Sequence, residues 1–123
     1  MLIDEKLVGI LTTAKPKEAR AFYEGVLGLT FTMDEEHVMA FDAGPWRVML
    51  QKGPSVTPPF GTAMGWNVKD LRAAMRDLLA RGVVFERNGL NQDEMGVWSP
   101  MPGEGVAWFL DPDGNRLSLN GPI

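Results

Sequence analysis

At 123 residues, 45% of them hydrophobic and 23% charged, the chain has the composition of one globular domain with enough apolar surface to bury a core. Its formal net charge is −4 and its 12 lysines and arginines are scattered, so there is no basic face to displace counterions from phosphates, and nucleic acid is excluded as a partner. No apolar run is long enough to span a bilayer, and Met1–Lys6 has neither the basic start nor the apolar stretch of a signal peptide. There is no cysteine for a disulfide or a thiolate metal site, and a cytoplasmic protein with no membrane partner is the expectation.

In chain order, "KLVGILTT" (6–13) reads as a strand. Helical spacing follows: Ala19, Phe22, Tyr23, Val26 and Leu27 fall at i, i+3, i+4, i+7 and i+8 and so share a face. Pro16 suits the first helical turn, and Gly28 stands where a helix end wants positive φ. "LTFTM" (29–33) is a second strand, and "FDAGPWRVMLQKG" (41–53) reads as strand, tight turn, strand. "KGPSVTPPFG" (52–61), with three prolines and two glycines, is a linker.

The pattern then repeats. "TAMGWNVK" (62–69) is a strand, Asp70 an N-cap, and Leu71, Met75, Leu78 and Leu79 a helical stripe that Gly82 ends. "VVFER" (83–87) reads as the next strand, followed by an insert (88–104) rich in Gly, Pro, Asn and Asp. "FLDPDGNRLSLNG" (109–121) is again strand, turn, strand, with Asp111 and Asp113 serving the turn. The closing strands match position by position: Arg47 with Arg116, Val48 with Leu117, Met49 with Ser118, Leu50 with Leu119 and Gln51 with Asn120. The reading is an α+β single domain over 1–123 built from a duplicated βαβββ unit, module 1 at about 5–53 and module 2 at about 61–121.

Strand alternation sorts the side chains. Val48 and Leu50 in one module, Leu117 and Leu119 in the other, must meet a helix. Arg47, Met49 and Gln51, and likewise Arg116, Ser118 and Asn120, point the opposite way. One helix per module covers only one face of its sheet, which leaves the inner face free to line a cavity.

"ARAFYEGVLGLTF" (19–31), "WNVKDLRAAMRDLLARGVVF" (66–85) and "AWFLDPDGNRLSL" (107–119) resemble the vicinal oxygen chelate superfamily, which includes glyoxalase I, bleomycin-resistance proteins, fosfomycin-resistance enzymes and extradiol dioxygenases. The resemblance implies two βαβββ modules with curled mixed sheets around a pocket, and a homodimer. It also implies four metal-ligand positions, one in the first and one in the last strand of each module, usually His or Glu. Carried onto this chain, those positions hold Val8, Met49, Ala63 and Ser118. Hard divalent cations want imidazole or carboxylate, so no metal and no other cofactor is expected.

The expected partner is a small molecule. The lining carried by the first module is Val8, Ile10, Thr12, Arg47, Met49 and Gln51. The second contributes Ala63, Gly65, Asn67, Arg116, Ser118 and Asn120. Trp98, Trp108 and Phe60, in or next to loops, offer stacking surfaces, although Met and Trp are also ordinary core filler, and Arg47 and Arg116 can equally be paired surface residues. The acids Asp34, Glu35, Glu36, Asp93 and Glu94 read as solvated charge runs.

Two readings of function from different classes remain open at this stage. One is a glyoxalase/bleomycin-resistance-like binder of a small, partly apolar molecule in a metal-free pocket. The alternative is a lyase, isomerase or dioxygenase-type enzyme with a divergent metal site or none; a metal-free version would need a general base, for which His37, Glu94 and Glu104 are the available groups. A module that only dimerises is a third.

Overall fold

The first strand, β1 (Val8–Thr13), pairs in parallel with β4 (Trp46–Lys52), and β4 continues antiparallel to β3 (Val38–Ala43) and then β2 (Thr30–Asp34). Between β1 and β2 the chain crosses one face of this sheet as a helix, α1 (Pro16–Arg20), prolonged by a π-helical turn over Ala21–Val26. Thr13 prepares the helix start: its Oγ1 accepts from the Lys15 N–H, while Lys15 itself supplies no side-chain cap. The wide turn is marked by the Leu27 N–H reaching the Phe22 carbonyl at 2.9 Å, five residues back. Gly25, the weakest helix former of the segment, lies within it. Ala19 and Tyr23 are fully buried, whereas Phe22, Val26 and Leu27 are half-buried. Tyr23 packs on Phe41 of β3 (ring centroids 5.6 Å), which in turn meets Phe31 of β2 (5.5 Å).

The second module copies this order. Strands β5 (Met64–Asn67), β6 (Trp98–Met101), β7 (Glu104–Leu110) and β8 (Arg116–Pro122) form a sheet ordered β5-β8-β7-β6, with β5 parallel to β8. Helix α2 (Leu71–Ala80) is capped by Asp70, whose Oδ1 accepts from the Ala73 N–H at 3.1 Å. It buries Leu71, Met75 and Leu78, while Leu79 is 46% exposed and so falls outside the buried stripe. Facing them are Ala107, Phe109, Leu117 and Leu119, with Phe85 edge-on to Phe109. Close approach of α2 requires small residues on that face. A Cβ at Gly105 would press on Leu71, Val97 and Ile123, and one at Gly121 would meet the Val68 carbonyl. Gly28 (φ 76°) and Gly82 (φ 93°) end the two helices in the left-handed region, as the pattern required.

Residues 1–123 are all described by this computed structural model, and they divide into two compact units, Met1–Pro58 and Pro59–Ile123, parted within the proline-rich linker. Each unit holds one mixed sheet and one βαβββ module, giving the α+β class and the duplicated topology that the sequence implied.

One element is placed differently. "VVFER" alternates as a strand should, with Val83 and Phe85 buried and Val84 exposed, yet it forms no ladder. A backbone bond, Glu86 N–H to the Trp108 carbonyl at 2.7 Å, and the Phe85–Phe109 ring contact tie it to β7. The fourth strand of the sheet is instead β6, inside the segment read as an insert. The chain between them is held by side chains. Asp93 accepts from the Met95 and Val97 N–H groups at 3.0 Å and from Arg72 at 2.7 Å, so it is not part of a solvated charge run. The Gln92 amide donates to the Glu86 and Gly96 carbonyls, and Arg87 donates to the carbonyls of Asp93 and Glu94. Burial works to raise the Asp93 carboxyl, but the bonds from Arg72, Val97 and Met95 outweigh it and hold the group below its ordinary value.

Candidate functional site

Because side chains alternate, the face of each sheet turned from its helix can be read from the register. In the first module the parallel pairing sets Val8 beside Arg47, Ile10 beside Met49 and Thr12 beside Gln51, all on the open face. Val8 and Ile10 are 39% and 54% exposed, an apolar stretch around the half-buried Met49. Arg47 is tied to Asp42 at 3.3 Å across the β3–β4 hairpin. Near this end lies a cleft of about 340 Å³ lined by Lys6, Leu7, Val8, Asp42 and residues 44–47, which takes in Val8 and Arg47 of the expected lining.

In the second module Gly65 pairs with Ser118 and Asn67 with Asn120, while the Ala63 N–H bonds the Arg116 carbonyl at 2.8 Å. These six expected residues again share one face. Gly65 has a reason to be glycine: a Cβ there would collide with Ser118 Oγ and crowd Asn120 Nδ2. The two polar side chains lie over it, 3.2 Å apart, with Asn120 also donating to the Trp66 carbonyl at 3.3 Å. Arg116 is claimed by Glu86 through two bonds of 2.7 and 3.3 Å, which raise its pKa further above the ordinary arginine value despite some opposing burial.

The face also holds residues outside the expected lining. Trp108 is the cross-strand partner of Ser118, and Val106 that of both Asn120 and Trp98. Trp98 and Trp108 therefore belong to strands of the open face rather than to loops, and their rings lie 6.0 Å apart at 31°. The Trp108 indole N–H donates to Thr62 Oγ1 at 3.0 Å. A count outward from the Asp111–Asn115 turn pairs Phe109 with Leu117, so Trp108 on this face was within reach of the pattern. Thr62 had no such signal. Phe60 is fully exposed and joins no ring contact.

The four positions where the resemblance puts metal ligands lie in equivalent places. Val8 is level with Arg47, and Ala63 bonds Arg116, the counterpart of Arg47; Met49 and Ser118 are two residues further along their strands. An isopropyl group, a methyl group, a thioether and a neutral hydroxyl are a poor donor set for a hard divalent cation, so these residues do not fit the metal. Nor does any group of three or more His, Cys, Asp or Glu side chains come together elsewhere to hold one. Of the available general bases, His37 is 85% exposed with only Glu36 beside it at 3.8 Å, and Glu94 and Glu104 are exposed.

No helix is long and apolar enough to cross a membrane. Among solved structures the chain is similar to the glyoxalase family protein from Enterococcus faecalis (TM-score 0.70, 16% identity, covering 98% of this chain and 99% of that one). It is similar also to a lactoylglutathione lyase from Agrobacterium tumefaciens (TM-score 0.72, 16% identity, 96% and 93%). A third is a glyoxalase/bleomycin resistance protein/dioxygenase from Alicyclobacillus acidocaldarius (TM-score 0.72, 14% identity, 98% and 92%). At such identities these likenesses speak for the fold alone. No curated protein matches. Residues 7–119 match the family description Glyoxalase/Bleomycin resistance protein/Dioxygenase superfamily, and the chain belongs to that superfamily.

Proposed function

We propose that this protein binds a small, partly apolar molecule on the open faces of its modules without a resident metal. The observation that carries the reading is the donor-poor set Val8, Met49, Ala63 and Ser118 on otherwise well-built sheet faces. Exposed Val8 and Ile10 and adaptable Met49 supply apolar contact, and half-buried Asn120, held over Gly65 beside the buried Ser118, supplies an orienting polar group. With the binding role go three further proposals: the modules form one domain, two chains pair as a homodimer, and the protein works in the cytoplasm.

The deciding experiment is calorimetry on chelator-stripped protein titrated with nickel, cobalt, zinc, manganese and ferrous iron. The expected result is no stoichiometric binding. Tight one-to-one binding of any of these metals would overturn the reading and bring the family's enzymatic chemistry forward.

A further inference from the structure

We infer that the open face of the second module is a subsite for a neutral, planar aromatic ligand that carries an amide-like hydrogen-bonding edge; the inference deepens the small-molecule reading above and rests on it. Trp98 and Trp108, both half-exposed, pair on this face with ring centroids 6.0 Å apart and planes 31° from parallel, so two indoles present aromatic surface at one place. An indole on a sheet face is free to turn about its side-chain bonds, but Trp108 is held by its N–H bond to Thr62 at 3.0 Å. A ring held in place loses little freedom when another ring stacks on it, which favours a flat partner over a flexible one.

The polar edge sits directly beside the indoles. Ser118 is the cross-strand neighbour of Trp108, and Asn120 that of Val106. Their mutual contacts of 3.2 and 3.4 Å, and the 3.3 Å bond to the Trp66 carbonyl, are long for hydrogen bonds. Ser118 is buried (4% exposed) and Asn120 half-buried, so the Asn120 amide is the part of this edge that a ligand reaches; a ligand amide or carbonyl that offers it shorter bonds can replace the long ones, since Asn both donates and accepts. Gly65 keeps this edge in place by leaving no Cβ under it.

Charge selects against anions. Arg116, the cation nearest these groups on β8, is already matched by both oxygens of Glu86, and Glu104 adds a carboxylate at the far end of β7. Thr62, Asn67, Val106, Ser118 and Asn120 carry no formal charge. A ligand carboxylate would be desolvated here with no free cation to receive it.

The test uses three probes on the intact protein by calorimetry: 2-naphthamide, 2-naphthoate with the same rings but a negative charge, and cyclohexanecarboxamide with the amide but no aromatic ring. The amide of naphthalene is expected to bind one to one and about tenfold tighter than either control. Trp98→Leu is expected to weaken it about tenfold. Thr62→Val, which keeps side-chain size and removes only the bond that fixes Trp108, is expected to weaken it by a smaller factor while leaving the melting temperature within a few degrees. Equal binding of the three probes, or naphthamide binding untouched by both variants, overturns the aromatic subsite but leaves the small-molecule reading standing. Binding of none of them also overturns the subsite. The small-molecule reading itself fails on a different result, stoichiometric metal uptake by the stripped protein.

Discussion

The two modules share a strand order but fill its fourth place differently. In the first, β2 runs unbroken beside β3 apart from one register shift between Phe31 and Met33. In the second, the place is divided between "VVFER", which touches β7 through one backbone bond, and β6, which lies beyond a loop that side chains hold together. The inner strands tolerate no such variation, because each must satisfy two neighbours, and here β4 and β8 carry matching residues in matching register. An edge strand answers to one neighbour only. Its ladder can be exchanged for side-chain bonds, and in this chain Asp93, Gln92 and Arg87 provide them. Duplication thus keeps the centre of each sheet and leaves the edge and the open face free to diverge: aliphatic around Met49 in one module, indole and amide around Ser118 in the other.

The largest test of this likeness is in the cores. Phe41→Ala and Phe109→Ala each remove a fully buried ring from the equivalent strand of its module and are expected to cost about 3–5 kcal/mol. Scanning calorimetry of both variants also tests the single-domain proposal. One transition that moves in both is expected; two transitions, each answering to only one mutation, would mean that the modules unfold separately. Next in size is a contrast between glycines. Gly121→Ala drives a methyl group into the Val68 carbonyl, a backbone atom that cannot turn aside, and is expected to cost about 3 kcal/mol. Gly65→Ala meets chiefly the rotatable ends of Ser118 and Asn120, with the Ser118 carbonyl further off at 3.2 Å, so about 1 kcal/mol is expected, and its main effect should be on ligand binding. Equal losses would mean that the two polar side chains are as firmly set as backbone.

What could be read in advance follows the same division. The side of the sheet was legible because parity does not depend on a partner: once Leu117 and Leu119 must meet a helix, Ser118 and Asn120 take the other side, where Ser118 is nonetheless buried. The break in the fourth strand was not, because Val83 and Phe85 alternate inward whether or not a ladder forms. Pro100 hid β6 in turn, since proline argues against a strand except at an edge, which is where β6 lies. Asp93 carried an overlooked signal. "DEMGV" and "DPDGN" make the same turn: each Asp oxygen accepts from the N–H groups two and four residues on, and each glycine N–H returns to the Asp carbonyl. The charge run around Asp93 concealed a turn that was read correctly eighteen residues later, at Asp111.

That turn supplies a test of intermediate size. Asp93→Ala removes three accepted bonds and is expected to cost about 2 kcal/mol, less than the core changes because Asp93 and Arg72 are about one-third exposed. The pH dependence has a definite sign. Since the folded carboxyl titrates below its ordinary value, the stabilisation is complete above the unfolded aspartate pKa of about 3.9 and is lost as pH falls through the lower folded value. Protection of the Met95 and Val97 amides from hydrogen exchange, expressed relative to the intrinsic rate at each pH, should be lost in the wild type as pH is lowered through the folded value and be small at any pH in the variant. The first module, with no counterpart of this loop, should show no matching change.

The smallest effect separates the two arginines that the duplication left in register. Arg47 meets Asp42 through one bond of 3.3 Å with both side chains more than 40% exposed, and such pairs contribute on the order of 0.3 kcal/mol. Arg116 meets Glu86 through two, the shorter 2.7 Å, with Glu86 only 22% exposed. Two-point contact with less water around the carboxylate raises the expected coupling to about 1 kcal/mol. Double-mutant cycles, R47A with D42A and R116A with E86A, measure both terms by the same denaturant titration. A coupling at Arg116 no larger than that at Arg47 would leave its guanidinium available to an incoming anion. The naphthoate probe would then bind as well as the amide, and the charge argument for a neutral ligand on the second module would fall with it.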